Sequence, residues 1–170
     1  GVGALTIGLG DLVSRQTRDL LVAIHFPSGA IDQDCALSVL VSNQEEPLAE
    51  DTFRWTWVES TRRKAQPRQA AVEQRVAAFW AAEARREATL RNRRDDLEGA
   101  RAALVQAAGK IRGYGKDNPD LINQAALLLG EVHTYQEKLD PRALKERFYA
   151  SRSALKGRQA DGSRSKDRSS

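Results

Sequence analysis

The chain has 170 residues, with 27 Lys and Arg against 23 Asp and Glu, one Cys and no Met. That length suits one ordinary domain or two small ones. A single cysteine excludes an internal disulfide and any Cys-rich metal site, and no apolar run approaches the roughly 18–20 residues that a membrane-spanning helix needs.

The net charge of +4 conceals an uneven distribution. Residues 1–60 hold three Arg against nine acids, a net of −6, and residues 61–170 carry a net of +10. Such asymmetry points to separate surfaces or to an anionic partner, and is silent about fold. The chain starts Gly1-Val2-Gly3 without Met, which leads to the expectation that it is cut from a longer sequence.

Residues 1–60 read as a β-rich segment. Ala4 to Leu9 forms a first apolar run before Gly10-Asp11. Leu20, Val22, Ile24 and Phe26 alternate in a second run, which Pro27-Ser28-Gly29 ends. Leu37, Val39 and Val41 alternate in a third, and Phe53, Trp55 and Trp57 in a fourth. Period-two patterning with β-branched and aromatic residues is the signature of a strand. Several runs are apolar on both faces, so four strands would need cover. The expectation is part of a sandwich completed by strands upstream. Cys35, inside an apolar run with no His or basic neighbour to lower its pKa, reads as a small buried hydrophobe.

Residues 61–68 are polar and basic and read as a linker, with Pro67 placed for a first helical turn. Residues 69–157 carry helical periodicity. Val72, Val76, Phe79, Trp80, Ala84 and Ala88 line one stripe; Leu97, Ala100, Leu104, Ala107, Ala108 and Ile111 a second; Leu121, Ile122, Ala125, Leu128, Leu129, Val132 and Tyr135 a third. On a fourth helix Leu144, Phe148 and Leu155 face inward. Asp95 with Glu98 three residues later has the form of a capping box. Gly113-Tyr114-Gly115 can end the second helix. Asn118-Pro119 and Asp140-Pro141 each place a side-chain acceptor before a proline, which opens a helix. Short connections predict antiparallel neighbours. Asn92 to Leu104 is locally similar to a tetratricopeptide hairpin, without the 34-residue repeat. Residues 158–170, rich in Ser, Gly and charge, read as a disordered tail.

The predicted fold class is therefore α+β: a partial antiparallel sheet or sandwich, then a bundle of three to four antiparallel helices.

Chemistry-bearing patterns are sparse. His25 and His133 lack ligand-forming neighbours at metal-binding spacing. Gly8-Leu9-Gly10 starts like a dinucleotide fingerprint, but Val13 stands in place of the third glycine. No phosphate-binding loop, nucleophile elbow or paired-carboxylate pattern occurs. Asp161-Gly162-Ser163-Arg164-Ser165 fits Asp-x-Ser-x-Ser, yet no strand precedes it. The reading expects no catalytic residues, no cofactor and no metal. Candidate partner-surface residues are Phe53, Trp55 and Trp57, which otherwise form core or a seam, and Arg85, Arg86, Arg93 and Arg94, which otherwise form a solvated helix face.

Two regions carry a family resemblance. Leu9-Gly10-Asp11-Leu12 with Arg18 to Pro27 (RDLLVAIHFP) resembles the segment after the A domain in bacterial von Willebrand factor A (VWA) domain proteins. Ala84-Arg85-Arg86-Glu87-Ala88, Asn92 to Leu104 and Lys145-Glu146-Arg147-Phe148-Tyr149 resemble the helical C-terminal region of the same proteins. The resemblance implies an accessory region, covering about residues 5–152, that would support metal-dependent contacts made by an A domain upstream. None of that family's metal ligands maps onto this chain, since Asp161, Ser163 and Ser165 stand in the wrong context. The expected partner is a protein, including the chain's own upstream A domain; the alternative is nucleic-acid or anionic-surface binding through the basic helices and tail. Cytoplasmic localisation is marginally favoured, and the oligomeric state stays open.

Overall fold

The computed structural model describes residues 4–8, 10, 20–26, 28–43, 46–64, 66–116 and 118–155. The Gly10-Asp11 turn in part, residues 11–19, Pro27 and the serine-rich tail lie outside them. The fold is α+β, and the described residues form two strands and five α-helices. Contacts divide the chain into two compact units, Val22–Arg68 and Gln69 onward with the first 21 residues.

The first unit is built on a hairpin. β1 (Asp34–Ser42) and β2 (Pro47–Thr56) pair antiparallel, with Cys35 opposite Trp55 and Leu37 opposite Phe53. The backbone extends this pairing past the strands: the Trp57 amide donates to the Gln33 carbonyl at 2.9 Å, and the Asp32 amide to the Trp57 carbonyl at 2.8 Å. Asp32 takes a left-handed φ of 65° to turn the chain there. The polar face is tied by Ser38 to Thr52 at 3.0 Å and by Thr56 to Asp34 at 2.8 Å. Gly29 is required beside the hairpin, because a Cβ there would run into the Trp57 indole.

The expectation of four strands needs correction. Residues 4–8 and 20–26 are not strands, and the described residues contain one two-stranded sheet rather than a sandwich. Alternation is a local property, whereas a strand exists only when a neighbouring backbone takes its hydrogen bonds. The segment read as a linker, 61–68, also holds structure: Ser60–Lys64 form a one-turn helix, α1.

The second unit is helical: α2 (Ala70–Arg93), α3 (Leu97–Tyr114), α4 (Pro119–Gly130), a 3₁₀ turn over Glu131–Tyr135, and α5 (Pro141–Leu155). α2 packs on α3 and α5, and α3 packs on α4. Trp80, near the middle of α2, meets Tyr114, the last residue of α3, edge to face at 5.2 Å, and with the short turn between Arg93 and Leu97 this sets the two helices antiparallel. α2 and the α4–3₁₀ segment run in the same direction, held by a ladder of polar contacts. Asn118 donates to Glu73, Gln74 to Asp120, Arg85 to Glu131 and Asn92 to the Glu137 carbonyl, always 45 or 46 residues apart.

The core lies between these helices. Ala77, Ala81, Ala84 and Ala88 of α2 meet Ala100, Leu104, Ala108 and Ile111 of α3, with Leu121, Ala125, Leu128 and Tyr135 beneath. Small alanines let the helix backbones approach closely. The face of α2 is therefore rotated from the predicted stripe: Val72 is exposed, and Val76, Phe79 and Trp80 are half-buried. Ile122 and Leu129 are likewise exposed. The predicted third helix ends at Gly130, and Tyr135 reaches the core from the 3₁₀ turn. On α5, Leu144, Phe148 and Leu155 are half-buried, and only Ser151 is fully so.

The caps follow the expected chemistry with one shift of register. Asn118 accepts the Asp120 amide, and Asp140 accepts those of Arg142 and Ala143. Gly115 ends α3, and a Cβ there would strike Leu121. The cap of α3, however, is Asp96, which accepts the Gly99 amide at 2.8 Å. Asp95 adopts φ 68° instead, since the tight turn after Arg94 needs a left-handed residue.

Candidate functional site

Two surfaces combine exposure with unusual chemistry. The first is the apolar face of the hairpin. Cys35, Leu37, Val39 and Val41 share it with Trp55, Phe53 and Ala49, and Asp51 is its one charge. Side chains in a pleated pair alternate between faces, so this grouping follows from the register. Phe53 is 48% exposed and Trp55 41% exposed, and Val39 and Val41 are comparably open. Phe26 joins the cluster, with its ring 5.0 Å from that of Trp55 and edge-on to that of Trp57 at 6.3 Å. Phe53 lies nearly parallel to Trp55, 6.3 Å away.

The three aromatics singled out from the sequence thus gather on one surface, with Trp57 half-buried just past the end of β2. Phe26 escaped that reading. Its only sequence signal is its place at the end of the alternating run Leu20, Val22, Ile24 and Phe26; the meeting with Trp55 and Trp57 is tertiary.

The second surface is a cleft on the helical unit, about 380 Å³ in volume, lined by Ala82 and Arg85 of α2, by Glu131 and Tyr135, and by Arg147, Ala150, Ser151 and Ala154 of α5. Arg85 grips Glu131 with two donors, Nε at 2.9 Å and Nη2 at 2.6 Å. Tyr135 is fully buried, with its hydroxyl 3.4 Å from that of Thr89. Thr89 spends its own proton on the Arg85 carbonyl at 2.7 Å. The Arg147 guanidinium stands over the Tyr135 ring at 5.7 Å.

The four arginines proposed as a partner surface are not equivalent. Arg85 is committed to Glu131 inside the helical unit, which removes it as a free surface cation. Arg93 and Arg94 are exposed at the C-terminal end of α2, and Arg86 is half-buried; none of these three has an acidic partner among the described residues. Between them Arg91 bonds Glu87 at 2.7 Å and Asp96 at 3.1 Å. Those hydrogen bonds, Glu87 first, push its guanidinium above its ordinary pKa.

Cys35 is half-buried, as a small hydrophobe at the rim of the aromatic face. No three His, Cys, Asp or Glu side chains gather among the described residues as metal ligands would. No described helix is long and apolar enough to cross a membrane.

The chain matches no protein-family model, no curated protein and no solved structure.

Proposed function

We propose that this chain is a non-catalytic protein-interaction region, whose contact surface is the aromatic face of the hairpin. The observation that carries the reading is the continuous exposed row Phe53–Trp55 with Val39 and Val41 on a two-stranded sheet. An isolated pair of strands is marginal in water, and an apolar patch of this kind on a sheet is a common docking surface. The acidic character of residues 1–60 favours a partner with basic residues around an apolar centre. The resemblance to VWA proteins suggests such a partner: an A domain whose metal-dependent contacts this region supports.

The test is a fluorescence titration of the full chain with a recombinant bacterial A domain. Burial of Trp55 shifts tryptophan emission to the blue, and the double variant Phe53→Ser/Trp55→Ser loses both the shift and the binding. Binding that survives the double variant overturns the assignment of the surface.

A second reading, contact with nucleic acid or another anionic surface, is favoured by Arg93 and Arg94 at the end of α2, which are exposed and have no acidic partner among the described residues. It requires binding to duplex DNA that falls steeply with salt and weakens in Arg93→Gln/Arg94→Gln.

A further inference from the structure

We propose that the cleft between α2 and α5 binds a carboxylate carried on a short aliphatic body. Its volume, about 380 Å³, lies in the range of small-ligand sites, which are mostly apolar with a few converging polar groups. Ala82, Ala150 and Ala154 supply the apolar wall. The charges decide the ligand. Arg85 and Glu131 cancel each other in a bidentate pair. Arg147 stands over Tyr135 and has no carboxylate partner among the described residues, which leaves the cleft with one positive charge.

A guanidinium offers a planar fork of donors that matches the two oxygens of a carboxylate. Ser151 turns its proton toward the carbonyls of Arg147 and Phe148, both at 3.0 Å, so Arg147 is left to hold the anion without help from this hydroxyl. A phosphate dianion fits poorly, because one uncancelled cation faces it and Glu131 lines the same wall. The ligand chemistry is therefore a monoanionic carboxylate with a short aliphatic group. It is met either in a small free acid or at the C-terminus of a peptide. The hairpin surface plays no part in this site, so the two readings stand or fall separately.

The test uses nitrogen-15 NMR of the full chain with three probes: isovalerate, N-acetyl-leucine and neutral isovaleramide. Both acids are expected to move the amides of Ala82, Arg147, Ala150 and Ser151 saturably, and isovaleramide to move none. Arg147→Gln weakens the acids about tenfold or more, as loss of a charged hydrogen bond does. Ala154→Phe fills the cleft and blocks binding while the far-ultraviolet dichroism keeps its helical amplitude. Tighter binding of N-acetyl-leucine identifies a peptide end, and tighter binding of isovalerate a free acid. The proposal is overturned by the absence of saturable shifts with either acid, by equal shifts with isovaleramide, or by unchanged affinity in Arg147→Gln.

Discussion

Asn92, fully buried near the end of α2, accepts the Leu139 amide at 3.0 Å and donates to the Glu137 carbonyl at 2.9 Å. One side chain thereby satisfies two backbone groups of the segment that leads into α5. Asn92→Ala leaves both groups without a partner in a water-poor site, and is expected to cost about 2–4 kcal/mol in urea unfolding. Asn92→Asp keeps the acceptor for Leu139 but turns an oxygen toward the Glu137 carbonyl. The fold then favours the protonated acid, so its deficit against the parent shrinks as pH falls and grows as pH rises. A deficit independent of pH contradicts this geometry.

The Arg85–Glu131 pair joins the middle of α2 to the 3₁₀ turn, and both side chains are about a third exposed. Solvent screening limits its worth despite the two-donor geometry. A double-mutant cycle with Arg85→Met and Glu131→Gln is expected to give a coupling of about 1 kcal/mol. Raising the salt concentration reduces it. A coupling indistinguishable from zero at low salt would place the pair apart in solution.

Leu104 and Val105 are sequence neighbours with opposite surroundings. Leu104 is 0% exposed at the centre of the core, and Val105 is 49% exposed on the outer side of α3. Leu104→Ala should cost about 2–5 kcal/mol, through lost burial and the cavity left behind. Val105→Ala should stay within about 0.5 kcal/mol of the parent. Equal effects in chemical unfolding would mean that α3 is turned differently about its axis.

Contacts group Gln69 onward, with the first 21 residues, apart from Val22–Arg68. The helical segment 69–157 is expected to melt as one cooperative transition when followed by far-ultraviolet dichroism, at a temperature matching the helical transition of the full chain. A non-cooperative melt would show that the helices depend on the rest of the chain.

The helical half was largely legible because its signals are local. Asn118, Asp140 and Gly115 mark boundaries through hydrogen bonds that span only a few residues. Leu104, Ala108 and Ile111 share a face by periodicity alone. The cap of α3 was misplaced by one residue because Asp95 and Asp96 have the same side chain, and only the turn conformation assigns one to φ 68° and the other to the cap. The α2 stripe was misjudged because alanine carries a weak hydrophobic signal, although it permits the closest packing. For the hairpin, the alternation of Leu37–Val41 and Phe53–Trp57 was visible, whereas the same pattern at Leu20–Phe26 produced no strand.

The sequence by itself determined most of the helix starts, the alternation of the two runs that pair as the hairpin, and the split between an acidic first part and a basic second part. Those properties depend on neighbours within a turn or two of chain. The tertiary structure alone decided that α2 lies beside α4 and the 3₁₀ turn at an offset of 46 residues. It also decided that Arg85 pairs with Glu131 and that Arg147 overhangs Tyr135 beside a cleft. Each is a meeting of distant residues, set by how helix surfaces fit together, and no local pattern encodes it.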